Sequence, residues 1–235
     1  MSRTGLYVAA LALAGYGALQ VLGRTAGSTA DERRMPFAGD DVVPAPQLVT
    51  HHAITVRARP EAIWPWLTQA GWHLGGWYTP RWVDRVLFPQ NWSSLDHLDP
   101  ALMRDLAVGD RIPDGPPGTA WFAVTESTPP DTLVLHSTTH LPPGWRDRFG
   151  AEVDWTWSFR LDSLPGDRSR LQLRVRGRTA PWWLTAGYLA AIVPADYVMA
   201  VGMLRGIKRR AETSPPPRSS GRSPFTVDTT TGRRS

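Results

Sequence analysis

Two short segments constrain this chain more than any other feature in it. Residues 154–162 read Asp-Trp-Thr-Trp-Ser-Phe-Arg-Leu-Asp, and residues 171–178 read Leu-Gln-Leu-Arg-Val-Arg-Gly-Arg. In the first, Trp155, Trp157, Phe159 and Leu161 alternate with Thr156, Ser158, Arg160 and Asp162. In the second, Leu171, Leu173 and Val175 alternate with Gln172, Arg174, Arg176 and Arg178. A period of two sends successive side chains to opposite faces of a strand. The turn-rich stretch Ser-Leu-Pro-Gly-Asp-Arg-Ser joins the two segments. The pattern predicts antiparallel pairing of residues 153–163 with 168–178, burying Trp155, Trp157, Leu171 and Leu173. It also predicts one dry face and one wet face.

Such a sheet needs a cover for its dry face. Upstream, residues 48–58 are rich in β-branched side chains and read as a strand. Pro60 suits the first turn of a helix running toward Gly71, shortened or kinked at Pro65. After the break at Gly75-Gly76, Thr79 caps and Pro80 opens a second helix with Trp82, Val83, Val86 and Leu87 on one stripe. Asp99 is placed to cap a short third helix over 100–106. Residues 108–113, 119–126 and 132–138 read as further strands, the last two joined by Ser-Thr-Pro-Pro-Asp. The run 181–204 is apolar but holds Pro194 and Asp196. An Asp at the centre of a membrane helix costs about 2.5 to 3.5 kcal/mol. The expectation is therefore a long helix buried against the sheet, with a membrane span as the alternative. It is the only element long enough to cover the sheet, and a curved sheet wrapped on one helix leaves an apolar cavity.

Residues 5–22 carry no charge. Eighteen helical residues rise about 27 Å, close to the roughly 30 Å hydrocarbon core. Residues 1–24 are expected to form a membrane anchor. A signal segment cleaved after Ser-Thr-Ala at 28–30, or a helix docked on the domain, remain alternatives. Arg24, Arg33 and Arg34 outnumber Arg3, which places the domain in the cytoplasm; a secreted or wholly cytoplasmic protein is the alternative. Residues 25–47 read as a linker, 48–212 as the domain and 213–235 as a disordered basic tail.

The formal net charge is +5, and the stretch from Lys208 to Ser235, with seven basic and two acidic residues, accounts for all of it. A folded nucleic-acid reader would carry its basic face on the domain, so no nucleic-acid partner is expected. There is no cysteine, which removes disulfides, thiolate metal sites and cysteine nucleophiles. The six histidines show no ligand spacing; His136 and His140 would lie about 13 Å apart along one strand. No metal or other cofactor is expected. Asp96, His97 and Asp99 read first as loop polarity. Glu126 shares parity with Phe122 and Val124, which leaves it either at a cavity edge or solvated beyond the strand end.

The stretches 54–71 (ITVRARPEAIWPWLTQAG), 75–84 (GGWYTPRWVD), 106–113 (LAVGDRIP), 154–161 (DWTWSFRL) and 197–212 (YVMAVGMLRGIKRRAE), in this order, resemble the helix-grip superfamily. That superfamily is also known as START-like, Bet v 1-like or SRPBCC and includes polyketide cyclases and lipid-transfer domains. The resemblance is closest to a bacterial branch without a settled function. It departs from that branch at Leu74, where an arginine often precedes the glycine pair. It implies an α+β fold, a curved antiparallel sheet around a long C-terminal helix, with an apolar cavity between them. It does not imply one reaction.

Twelve tryptophans, five of them between residues 64 and 82, can bury on the order of 200 Å² each. They can serve as core or as cavity wall. Trp77, Tyr78, Phe122, Trp155, Trp157, Phe159, Tyr197 and Met203 are the expected ligand contacts; no catalytic residue is assigned. The expected function is binding of a hydrophobic small molecule or lipid at a membrane. A cyclase- or hydratase-like enzyme in the same cavity, and a structural domain with a filled core, are the alternatives. Two inward ionisable groups within reach of one another would favour the enzyme.

Overall fold

The computed structural model describes residues 3–87 and 89–213; the expected basic tail lies outside them from residue 214 onward. The elements are α1 (Arg3–Thr25), α2 (Ala30–Arg34), β1 (Leu48–Val56), α3 (Pro60–Thr68), α4 (Arg81–Leu87), β2 (Arg111–Pro113), β3 (Trp121–Thr128), β4 (Thr132–Ser137), α5 (Trp145–Phe149), β5 (Glu152–Leu164), β6 (Arg168–Ala180), α6 (Trp182–Gly187), a π-helical turn (Tyr188–Ile192) and α7 (Val193–Thr213). The strands form one antiparallel sheet in the order β1-β6-β5-β4-β3-β2. The predicted hairpin is present: Trp155 pairs with Gly177, Trp157 with Val175 and Phe159 with Leu173. A long C-terminal helix crosses the sheet, giving the expected α+β helix-grip arrangement.

The inner face of the sheet is the main core. Leu133, Leu135, Phe159, Leu161, Leu171 and Leu173 are all buried there. On α7, Ala200, Met203, Leu204, Ile207 and Ala211, spaced by three, one, three and four residues, form a buried stripe on one face of the helix. It meets Ile63, Trp66 and Leu67 of α3 in the same core. Burying each larger side chain contributes about 1.5 to 3 kcal/mol. Gly206 permits the closest approach: a Cβ there would lie 1.9 Å from the Tyr78 carbonyl oxygen.

The outer face is not wet. Thr156, Ser158, Gln172 and Arg174 are all buried, because residues 25–47, expected as a linker, fold across them as a strap. A capping box starts α2: the Glu32 amide donates to Thr29 Oγ1 and the Thr29 amide to Glu32 Oε2. Phe37 and Val43 are buried under the strap. The outward arginines then clamp it. Arg170 pairs with Glu32 at 2.7 Å and holds that carboxyl down at about 2. Arg174 donates to Asp40 (2.8 Å), to the carbonyls of Met35 and Glu32, and to His51 Nδ1 (3.0 Å), with its guanidinium over the Phe37 ring. Arg176 reaches Asp40 and the Val43 carbonyl. Arg170, Arg174 and Arg176 thus hold a covering segment rather than face solvent, whereas Arg178 is exposed.

Two helical expectations change. In α4 Val83 and Asp84 are buried, while Trp82 and Val86 are 60% and 68% exposed. Asp84 turns inward, where Thr79 Oγ1 donates to it, and the expected stripe is split, with Val83 inside and Trp82 and Val86 outside; the Leu87 side chain lies outside the described ones. Residues 100–106 make a turn rather than a helix: Ala101 donates to Asp99 Oδ1 and Leu102 to the Asp99 carbonyl, but of the seven only Leu106 is buried. One anchor per two turns cannot hold a short helix.

The last helix is continuous from Trp182 to Thr213, with its π turn just before Pro194. Pro194 has no amide proton and its ring crowds the carbonyl of Ala190. The freed carbonyls find donors on α1: Tyr16 Oη donates to Ala190 (2.8 Å) and Gln20 Nε2 to Leu189 (2.8 Å).

Candidate functional site

Where the C-terminal helix leaves the sheet near its π turn, a cavity of about 270 Å³ opens between them. Tyr188, Ile192, Ala195, Asp196 and Met199 line the helical side. Their spacing of four, three, one and three keeps them on one face of a helix. Trp155, Trp157, Val175 and Leu48 form the floor, and Phe122, Asp114 and His140 the far wall. The rings stand as a box in two contacting groups: Trp155 lies 5.3 Å from Tyr188, and Phe122 lies 5.1 Å from Trp157 and 4.6 Å from His140. Gly177 makes room for this floor, since a Cβ there would meet the Trp155 ring at 2.3 Å.

Polar chemistry enters at two points. Asp114 Oδ2 lies 2.7 Å from His140 Nε2, and His140 Nδ1 lies 2.8 Å from Ser137 Oγ. Ser137 has one hydroxyl proton. When it goes to the Trp121 carbonyl (2.6 Å), His140 must donate from Nδ1 and a second proton must sit between Nε2 and Asp114. When the hydroxyl turns to donate to Nδ1, the ring is neutral with its proton on Nε2. Thr139 Oγ1, at 3.0 Å, then still serves the Trp121 carbonyl. Either orientation of the Ser137 hydroxyl therefore leaves the Trp121 carbonyl and both ring nitrogens of His140 with hydrogen-bond partners. Across the cavity, Asp196 Oδ2 accepts from Thr50 Oγ1 (3.0 Å) and lies 3.4 Å from His52 Nε2. The Asp that argued against a membrane span is thus turned toward the sheet.

Of the expected ligand contacts, Phe122, Trp155 and Trp157 line this cavity. Trp77 stands behind them, edge-on to Trp157 at 5.3 Å and to Phe122 at 6.1 Å. Phe159 and Met203 are buried in the core beyond it. Met203 continues the turn-by-turn series from Met199, but there the sheet has closed on the helix. Tyr197 and Tyr78 face elsewhere. Tyr197 is one residue from Asp196 and so turned by about 100°. Both line a larger cleft of about 900 Å³, with Arg81, Asp96 and Arg210. Within it Arg210 pairs with Asp96 at 2.8 Å and Arg81 with Asp96 at 3.5 Å, and Arg205 and Arg209 add further positive charge to its wall. Burial raises the Tyr78 hydroxyl well above its ordinary value. The smaller aromatic cavity has the composition of a ligand site.

Asp114, His140 and Asp196 were not legible as site residues. They come from the end of β2, a loop after β4 and the C-terminal helix, with no local motif to join them. His136 lies on the outer face with Asp154 at 2.7 Å, so the two histidines of one segment serve opposite sides. Glu126 is moved too. A bulge between Val124 and Glu126 sets Glu126 opposite Val134. Val134 lies on the strap side, next to Gly39. Among the described residues, no three His, Asp or Glu side chains converge on one point.

No family model matches the chain, and no curated protein matches it. Several solved structures do. The hypothetical protein jhp0584 from Helicobacter pylori aligns at 11% identity and a TM-score of 0.46, over 76% of this chain and 95% of its own. A protein from Arthrobacter aurescens aligns at 13% and 0.44, over 75% and 92%. CalU16 from Micromonospora echinospora aligns at 17% and 0.33, over 70% and 83%. At these levels the likeness carries no weight for function, and the fold assignment rests on the strand order and the crossing helix.

Proposed function

We propose that this domain binds a small hydrophobic molecule between Trp155, Trp157 and Phe122 and the Tyr188–Met199 face of the last helix, while α1 holds it to a membrane. The observation that carries the reading is the aromatic box itself, with a carboxylate at each side. Its volume of about 270 Å³ falls just below the roughly 300–1,000 Å³ typical of ligand pockets, which selects a compact ligand over a full lipid. Asp114 and Asp196 would accept from hydroxyl or amine groups on it. Two helices, Arg3–Thr25 and Trp182–Thr213, are long and apolar enough to cross a membrane by length and composition; the reading assigns that role to α1.

The test is titration with an apolar fluorescent probe of a chain shortened to begin at Ser28. Removing the Trp157 ring withdraws about 60–100 Å² of ligand contact, roughly 1.5 to 2.5 kcal/mol, so Trp157→Ala should weaken binding about ten- to fifty-fold. A folded parent that shows no saturable probe binding would sink the reading.

The Asp114–His140 pair favours a second reading, because two ionisable groups sit on the cavity wall in direct contact. In it, the pair takes a proton from the bound molecule, as a cyclase or hydratase requires. The molecule that co-purifies with the protein from its host, identified by native mass spectrometry, would then exchange an acidic C–H proton in D₂O. Asp114→Asn should abolish that exchange and retain binding; exchange that survives the substitution would count against this reading.

A further inference from the structure

We infer that α1 does not enter the bilayer alone: the aromatic start of the last helix, with Trp145 and Phe149 of α5, enters beside it as a second membrane contact. The inference rests on the reading that α1 lies in a membrane.

The first argument is length. From Tyr16 onward α1 is fixed to the domain. Tyr16 and Gln20 donate to the carbonyls of Ala190 and Leu189, and Gly23 lies so close that a Cβ would meet the Val193 carbonyl at 2.3 Å. The chain then joins the sheet at once: Ala53 donates to the Ala26 carbonyl and Ser28 to that of His51. No tether separates anchor from domain. The free part of α1, residues 3–15, rises only about 20 Å, short of the roughly 30 Å hydrocarbon core. If α1 spans, the turns joined to residues 189–193 must lie at lipid depth, and those residues with them.

The second argument is chemistry. Tyr16 and Gln20 are the polar side chains between residues 16 and 23 of α1, and they serve the two carbonyls that the π turn frees before Pro194. Backbone polar groups at membrane depth must be satisfied within the protein. An α1 bound only to lipid would gain nothing from a Gln in its apolar run.

The third argument is the surface. Trp182 is 80% exposed, and Trp183, Phe149 and Ile192 are exposed as well. Trp145, Phe149 and Trp183 form a ring cluster with centroids about 6 Å apart. Arg146, Asp147 and Arg148 stand beside it on α5. Indoles flanked by arginines suit the boundary between headgroups and acyl chains. A shallow groove of about 310 Å³ over Trp145 and Trp183 shares Tyr188 and Ile192 with the aromatic cavity. Membrane contact at this face would set the cavity against the lipid, with those two side chains between them.

The cysteine-free chain makes the test direct. The full chain is placed in phosphatidylcholine vesicles with a single environment-sensitive label, at Trp182→Cys or at Trp82→Cys. Both sites are solvent-exposed, so neither change should disturb folding. Position 82 is a control near Gly202, which touches Pro80, about 30 Å along the helix from Trp182. Vesicle flotation reports whether the chain is in the membrane at all. Quenching by lipids that carry a quencher at shallow depth should be several-fold greater at 182 than at 82. Chains that float but quench equally at both sites would overturn the inference while leaving α1 as an anchor. Chains that do not float would remove the anchor reading and the inference together.

Discussion

His51 has no place for a second ring proton. Arg174 Nε donates to its Nδ1, so the single ring proton sits on Nε2 and goes to Gln172 Oε1 at 2.9 Å. Burial and the neighbouring guanidinium push its pKa down to about 4 from the ordinary 6.5. The sign follows from linkage. As pH falls, the unfolded chain takes up the proton first, so stability is whole above pH 6.5 and is lost between 6.5 and about 4. The full effect is of the order of 3 kcal/mol. Glu32, held near 2 against an ordinary 4.5, contributes above pH 4.5 and loses that contribution as pH falls toward 2. Thermal unfolding followed across these two windows should separate them. His51→Gln should lower stability at pH 7.5 by roughly 1 to 3 kcal/mol and flatten the upper window alone. A parent whose stability is constant between pH 6.5 and 4.5 would contradict the assignment.

At the scale of elements, the last helix is held by close approach at one turn and open at another. Gly206→Ala would drive a methyl into the Tyr78 carbonyl, a backbone atom that cannot swing away, and should cost about 2 to 3 kcal/mol. Gly187→Ala meets nothing within 4 Å and should gain up to about 1 kcal/mol from helix propensity. Chemical unfolding of the two variants checks the contrast, and equal effects would refute it. The same elements show what the sequence carries. The β5–β6 hairpin was legible because strict alternation fixes both face and register. The strap was not, because arginines at alternate positions look the same whether they face water or clamp a covering segment. The aromatic floor of the cavity was legible from strand parity. Its polar groups were not: Asp114 and His140 stand beyond strand ends, where parity stops, and the bulge before Glu126 reverses it. On the helix, Tyr197 and Asp196 are adjacent in sequence, and only the crossing angle decides which one faces the sheet.

For the whole molecule, the domain does not begin where the first strand begins. A chain shortened to begin at Pro46 lacks Phe37 and Val43, whose burial is worth about 1.5 to 3 kcal/mol each. It also strips Glu32 and Asp40 from Arg170, Arg174 and Arg176. Water would re-solvate those guanidinium groups, so the apolar loss dominates, about 3 to 6 kcal/mol. A chain beginning at Ser28 keeps the capping box, the clamp and the Ser28 hydrogen bond to His51. It gives up α1 with its contacts along residues 189–193, and the carbonyls of Ala26 and Gly27 that accept from Ala53 and Arg170. The shorter chain should therefore unfold at much lower denaturant concentration, with an outer face reactive to apolar dyes, while the Ser28 form stays folded and leaves the membrane fraction. If the two forms unfold together, residues 28–45 are a linker after all and the buried arginines are stable without them. If the Ser28 form is the one that collapses, α1 is a structural helix of the domain first and an anchor second.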